Sequence, residues 1–164
     1  MMPEINARAV NSTYDLLARA ARQSPEREAI IYLPDGSLDR EPVRLTYGDF
    51  LFRMTQAANA FSSLGLASSD VVSILLPNVV QAQIAFWGAE ACGIANPINF
   101  LLSPSHIADV MNAAQTKVLV TLGPHPLIDL WEKAQKVRQL VPSLRNILMV
   151  GGDGNAIDGA LPFD

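Results

Sequence analysis

The chain has 164 residues, of which 49% are hydrophobic and 17% charged, enough apolar material for one globular domain with a sizeable core. This composition argues against disorder, and a net charge of -4 argues against nucleic acid as a partner, because phosphate backbones select basic surfaces. The single cysteine, Cys92, cannot close an internal disulfide, and the first ten residues lack the apolar core of a secretory signal. We therefore expect a cytoplasmic protein.

The beginning of the chain predicts a short helix followed by a hairpin. Ser12 or Thr13 can cap a helix with apolar residues at three- and four-residue spacing, and this helix should end before Pro25. Residues 29–33 and 43–45 are short strand-like runs separated by turn-forming residues. They are expected to pair with each other as a small hairpin.

A longer helix is expected to begin after Thr46. The Thr46 hydroxyl and the Asp49 carboxylate can each accept a hydrogen bond from a backbone N–H that the helix leaves unpaired, and Gly65 supplies the stop. The helical spacing places a set of apolar residues on one face, which should pack on a sheet: Tyr47, Phe50, Leu51, Met54, Ala57, Ala58, Phe61 and Leu64.

Strands and helices alternate from residue 71 onward. Residues 71–76 form an almost uninterrupted apolar run, which is typical of a strand covered on both faces in a parallel sheet. Further strands are predicted at 94–98, 117–122 and 146–150, with helices at 79–92, from 104 and at 127–140. The residues expected to face inward from the last two helices are Ile107, Val110, Met111, Ala114, Leu127, Leu130, Trp131 and Ala134. This alternation predicts an α/β fold, a doubly wound and mostly parallel sheet with flanking helices.

The pattern divides the chain into an α/β domain over 1–150 and a glycine-rich loop over 151–164, whose continuation we expect to be absent. The uncharged stretch 71–89 also has nearly the length of a membrane span, for which about 20 residues are needed. Pro77 and Asn78 interrupt this stretch, so a buried strand running into a mostly buried helix explains it better.

No pattern for phosphate, metal or nucleophile chemistry stands out. Neither G-x-x-x-x-G-K-[ST] nor G-x-G-x-x-G occurs, and the glycines at 151–154 lack a following amphipathic helix, so we interpret them as a loop. His106 is expected in the first turn of a capped helix, His125 in a turn and Cys92 in packing, none of them as a metal ligand or nucleophile. Lys133 and Lys136 are expected to be solvated charges on one helix.

Several short motifs follow one another in order between residues 12 and 150. They are Thr46-Tyr47-Gly48-Asp49-Phe50, Leu64-Gly65-Leu66 followed by Asp70-Val71-Val72, Leu76-Pro77-Asn78, Phe86-Trp87-Gly88-Ala89, Gly93 to Asn99, Leu102-Ser103-Pro104 and Lys117 to Thr121. The order is more specific than any one motif. Taken together, the set resembles the N-terminal portion of the AMP-forming acyl-CoA synthetases, members of the adenylate-forming, AMP-binding enzyme superfamily.

The resemblance implies a reaction in two steps. A fatty or aromatic carboxylic acid attacks the α-phosphate of ATP to give an acyl-adenylate and pyrophosphate, and the thiol of coenzyme A then displaces AMP. Mg²⁺ would neutralise the phosphates. The family's phosphate loop, its acidic ribose and metal ligands and its catalytic lysine normally lie in later residues. We therefore expect no catalytic residue or metal ligand in this chain, and no activity or bound cofactor of its own as an N-terminal fragment.

One departure from the family pattern concerns the entrance for coenzyme A. Many relatives have Asn-Pro-Arg where this chain has Asn99-Phe100-Leu101, and the resemblance implies that the arginine can lie near the coenzyme's phosphates. Leu101 cannot make that contact. Asn99, Phe100 and Leu101 are the candidate coenzyme-binding residues, and the alternative is that Phe100 and Leu101 only pack a loop.

A second interpretation is a naturally short, non-enzymatic binding or assembly domain on the same scaffold. The uncharged stretch 71–89 motivates it, because exposed apolar surface favours association. Self-association through surfaces that truncation would expose is then expected.

Overall fold

The structure is a five-stranded parallel sheet with helices on both faces, next to a separate two-stranded hairpin. The computed structural model describes residues 11–36, 39–151 and 159–163. In chain order the elements are α1 (Thr13–Gln23), β1 (Glu28–Tyr32), β2 (Val43–Thr46), α2 (Tyr47–Ser63), β3 (Val71–Leu75), α3 (Val80–Cys92), β4 (Ile94–Pro97), α4 (Pro104–Ala113), β5 (Thr116–Leu122), α5 (Leu130–Leu140), β6 (Asn146–Val150) and β7 (Leu161–Pro162).

The first part of the chain follows its local signals. The Ser12 hydroxyl caps α1 by accepting from the backbone N–H of Asp15 at 3.0 Å, and β1 and β2 pair antiparallel as predicted. The Thr46 hydroxyl caps α2 by accepting from the N–H of Asp49 at 3.1 Å. The Asp49 carboxylate does not reach a backbone donor as expected, because it accepts from the Thr46 hydroxyl itself at 2.9 Å.

The order of the parallel sheet is β4-β3-β5-β6-β7. Because β3 lies between β4 and β5, the chain passes to one side of it through α3 and returns to the other side through α4. This reversal defines a doubly wound sheet, so the predicted fold class is confirmed. Pro97 closes β4 at the edge of the sheet, a position where its missing N–H costs no ladder hydrogen bond.

Alternate residues of the strands enter two separate apolar cores. Val72 and Ile74 of β3 belong to the core under α2 and α3, together with residues of β5 and β6. Leu75 belongs to the opposite core, under α4 and α5, with Leu119 and Met149. All five residues of β3 are buried, which explains why this strand has no polar alternation.

Helices α2 and α3 approach each other closely at Gly88. A Cβ atom added at Gly88 would lie 2.7 Å from the Cβ of Ala57 and 3.1 Å from the carbonyl oxygen of Met54. Real Cβ atoms do not tolerate the first of these distances, so the packing of the two helices requires glycine here. The glycine lets α3 lie directly on the face of α2 that the sequence predicted to be buried, where Met54, Ala57 and Phe61 are each at most 6% exposed.

Three polar side chains on neighbouring strands of the sheet form hydrogen bonds with one another. Ser73 of β3 and Thr116 of β5 are fully buried, and their hydroxyl oxygens are 2.7 Å apart. The amide nitrogen of Asn96 in β4 donates to the Ser73 hydroxyl at 2.9 Å. The three residues therefore satisfy one another across three neighbouring strands.

The structure corrects the sequence predictions at three further places. Helix α5 begins only at Leu130, so Leu127, predicted to face inward from it, lies in the preceding turn, where its side chain is 88% exposed and its N–H donates to Nδ1 of His125. Val110 of α4, which was also predicted to face inward, is 38% exposed. Leu161–Pro162, placed in a loop, pairs with β6 as a fifth strand. Residues 152–158, most of the predicted glycine-rich loop, lie outside the described residues.

The uncharged stretch 71–89 is not an exposed patch. Residues 71–76 are buried strand and strand end, and the stretch then turns at Pro77-Asn78 into the largely buried helix α3, as predicted. Among the helices of the described residues, none combines the length and the apolar character that crossing a membrane requires. The uncharged stretch that motivated the assembly-domain interpretation is therefore part of the apolar core.

Replacing Gly88 with alanine should destabilise the fold. The added methyl group has to displace Ala57 or the α2 backbone, and overpacking of this kind costs about 1–3 kcal/mol, more than the helix propensity that alanine adds. The Gly88→Ala chain should therefore unfold at lower urea concentration than the unchanged protein. Gly48→Ala is the matched control, since its nearest contact would be an ordinary 3.4 Å. Equal midpoints for Gly88→Ala and the unchanged chain would contradict this account.

Candidate functional site at the carboxyl edge of the sheet

Ligands of open parallel sheets bind at the carboxyl ends of the strands, close to the point where the strand order reverses. In this fold that point lies at the end of β3, between β4 and β5. Three segments surround it: the turn after β3 at 76–79, the turn after β4 at 98–103 and the turns after β5 at 123–129. The predicted residues Asn99, Phe100 and Leu101 lie in the second of these segments.

Asn99, Phe100 and Leu101 form one tight turn. The side-chain oxygen of Asn99 accepts from the N–H of Leu101 at 3.0 Å, and its backbone oxygen accepts from the N–H of Leu102 at 3.2 Å. Phe100 packs against the core under α4 and α5, whereas Leu101 is 76% exposed. The turn therefore anchors one apolar side chain and presents the other to solvent. The expectation that both only pack the loop is wrong for Leu101.

Lys133 of α5 is not the solvated charge that the sequence predicted. Its ammonium nitrogen donates to the carbonyl oxygen of Phe100 at 3.0 Å and lies 3.3 Å from a carboxylate oxygen of Asp129. Its side chain is only 16% exposed, although that of Asp129 is 70% exposed. Lys136 is exposed as expected. We call the contact from Lys133 to Phe100 the Lys133 link.

The sequence predicts only one of the two contacts that the Lys133 ammonium makes. The spacing of Asp129 and Lys133 is that of an ion pair on one helix face. The bond to Phe100 joins residues 33 positions apart, and its acceptor is a backbone oxygen that every residue type has. No side-chain pattern could therefore identify this partner.

The two histidines have the local roles that the sequence predicted. In the first turn of α4, Nδ1 of His106 lies 3.1 Å from the hydroxyl of Ser103, which caps the helix. His125 is exposed in its turn and accepts from the N–H of Leu127 at 3.2 Å. Within the parts of the chain that the structure describes, no group of three His, Cys, Asp or Glu side chains could hold a metal ion.

Cys92 packs at the end of α3. Its thiol donates to the carbonyl oxygen of Gly88 at 3.4 Å, and burial raises the pKa of the Cys92 thiol above its ordinary value, an effect that a hydrogen bond with Ser62 only partly opposes. A raised pKa disfavours the thiolate, the form that acts as a nucleophile. The interpretation of Cys92 as a packing residue is therefore supported.

Comparison with known proteins agrees with this architecture. The sequence profile of the AMP-binding enzyme family matches residues 17–160. The chain is 36% identical to the marinolic acid–CoA ligase of Pseudoalteromonas sp. (strain SANK 73390) over 137 residues, which are 84% of this chain and 21% of that protein. It is 31% identical to the acetyl-coenzyme A synthetase of Deinococcus radiodurans over 146 residues, 85% of this chain and 22% of that one.

A solved structure shows the same fold. The acetoacetyl-CoA synthetase from Streptomyces lividans superposes with a TM-score of 0.80 at 22% identity, over 93% of this chain and 24% of that one. The chain thus spans about a fifth of the length of the curated relatives it matches. On the match over residues 17–160, supported by the shared fold, the chain belongs to the AMP-binding enzyme family.

Proposed function

We propose that this chain is the N-terminal α/β part of an AMP-forming acid–thiol ligase that activates a fatty or aromatic carboxylic acid. The family match over residues 17–160 supports this proposal, together with relatives that are named CoA ligases. The reaction forms an acyl-adenylate and pyrophosphate from the acid and ATP, and coenzyme A then displaces AMP to give the thioester. With its single cysteine, the chain suits the reducing cytoplasm, where we propose that the ligase works.

The role proposed for this chain in the ligase is structural and ligand-positioning. The described residues do not fit a Mg²⁺ site, since no cluster of acidic side chains converges in them, and the full sequence lacks a glycine-rich phosphate loop with lysine. The carboxyl edge, with Asn99, Phe100 and Leu101, is where the chain is proposed to meet the thiol substrate. The remaining chemistry is assigned to residues beyond this chain, so the chain alone should be inactive.

ATP–pyrophosphate exchange tests this division of roles. The purified 164-residue chain should exchange no label between pyrophosphate and ATP with any of a series of fatty and aromatic acids. The complete ligase, meaning the full polypeptide encoded by the gene that contains this sequence, should exchange label when its acid is present. Exchange by the chain alone would overturn the proposed inactivity, and its absence from the complete ligase with every acid would overturn the proposed reaction.

The gene itself provides an independent check. Its reading frame should continue past the codon for Asp164 into a Ser/Thr/Gly-rich loop with a lysine. A stop codon directly after Asp164 would instead favour the second candidate, a short binding or assembly domain.

One surface feature favours this second candidate, in which the chain associates with itself. A groove of about 620 Å³ lies between α2, α3 and the end of the chain, lined in part by Phe52, Arg53, Gln56 and Phe163. Phe52 is 64% exposed in this groove, an unusual place for a large aromatic side chain. Burying Phe52 in an interface would stabilise the complex by about 1–2 kcal/mol.

Replacing Phe52 with serine should weaken this self-association. The loss of its apolar surface should raise the dissociation constant about tenfold, measured by sedimentation velocity over a range of concentrations. Leu127→Ser is the matched control, because Leu127 is 88% exposed but does not line the groove. A monomeric wild-type chain at all concentrations, or equal effects of both substitutions, would count against association through the groove.

A further inference from the structure

Residues 159–163, which include strand β7, are attached to both apolar cores, and we call this segment the clasp. Ala160 is fully buried in the core under α4 and α5. Three residues later, the ring of Phe163 packs against the other core and stacks on Phe61 of α2, with the ring centroids 6.2 Å apart. The clasp therefore crosses the edge of the sheet and joins the helical layers on its two faces.

Between these two anchors the clasp covers the edge of β6. Leu148 and Met149 lie opposite Leu161 and Pro162 in the parallel register, and the carbonyl oxygen of Met149 accepts from the N–H of Phe163 at 2.8 Å. Four of the five residues of β6 are apolar and none is charged. An uncharged apolar strand of this kind pairs readily with another chain when its edge is open.

The clasp itself offers little to a further strand. Successive residues of a strand point their backbone groups to opposite sides, so the nitrogen of Pro162 faces away from β6 because the N–H of Phe163 faces toward it. Proline has no N–H to donate on that outer side, and β7 is only two residues long. Short strands and prolines are both means by which natural sheets keep an edge from pairing.

A charged side chain lies over the start of the clasp. Gly159 has a φ of +78°, in the left-handed region, and a Cβ atom added to it would lie 3.2 Å from two guanidinium nitrogens of Arg138 in α5. Both the backbone conformation and the contact favour glycine here. Gly159 does not line the groove between α2 and α3. A substitution at Gly159 therefore disturbs the clasp at the end opposite to Phe163 and leaves the groove lining unchanged.

We propose that the clasp is a protective cap for the edge of β6: residues 159–163 open and close as one unit, and in the open state β6 pairs with β6 of a second copy of this chain. A two-residue strand needs both anchors, since so few ladder contacts do not hold a strand in place on their own. This role of the clasp is independent of the reaction proposed above.

Hydrogen exchange tests whether the clasp moves as one unit. In the full polypeptide that the gene encodes, Gly159→Ala and Phe163→Ser should each raise the exchange rate of the β6 peptide, Asn146–Val150, by about fivefold to tenfold, because either change weakens the closed state. Gly36→Ala is the matched control, since Gly36 has a φ of +66° but nothing within 4 Å of an added Cβ. Acceleration by only one clasp variant, or equal acceleration by Gly36→Ala, would overturn the proposal.

Sedimentation velocity and thioflavin T fluorescence test whether the opened edge pairs with a second copy. In the same polypeptide, both clasp variants should form assemblies that bind thioflavin T about fivefold faster than wild type. Gly88→Ala is the control for a general loss of stability, because it disturbs the contact of α2 with α3 and not the clasp. The proposal is refuted if neither clasp variant associates faster. It is also refuted if Gly88→Ala associates equally fast at a urea concentration that unfolds the same fraction of each variant.

Phe163→Ser also separates edge pairing from association through the groove. Phe163 lines that groove, so its loss should weaken any association that the groove mediates. Opening of the clasp should instead strengthen association through β6. A Phe163→Ser polypeptide that associates more than wild type supports the edge cap, and one that associates less overturns it.

Discussion

The constraint on which this structure depends is that a parallel sheet must be covered on both faces. Strand β3 has no solvent side, and its residues alternate between a core under α2 and α3 and a core under α4 and α5. The close approach at Gly88 brings α2 and α3 together over the first face. With both faces covered by helices, the loops at the carboxyl edge are where the sheet can meet a ligand.

Periodicity predicted most of the fold because burial and helix caps are local properties of the sequence. The apolar run at 71–76 predicted a buried strand, and Thr46 predicted the start of α2. Leu127 was misplaced because α5 begins only at Leu130, after a turn that apolar spacing does not encode. Strand β7 was missed because two residues are too few for any pattern, and its pairing is fixed by β6.

The candidate site was less predictable than the fold. Asn99 to Leu101 were found through resemblance, and the structure adds how they are held: an internal turn, a partly buried aromatic ring and a lysine from α5. The contact made by the lysine could not be predicted from the sequence because its partner is a backbone carbonyl. Lys133 and Lys136 lie three residues apart on one helix, but only Lys133 contacts that carbonyl. The Lys133 side chain is therefore largely buried, whereas Lys136 is exposed.

The hydrogen bonds among Ser73, Thr116 and Asn96 also affect the register in which the strands pair. Strands made of Val, Ile and Leu pack almost equally well when they slide along one another by two residues, since the same faces stay buried. In the observed register, Ser73 lies directly opposite Asn96. Sliding β4 by two residues would separate that pair and break the part-buried hydrogen bond from Asn96 to Ser73, at a cost of about 1 kcal/mol, while Ser73 keeps its contact with Thr116. The pair formed by Ser73 and Asn96 thus favours one alignment of β4 against β3 during folding.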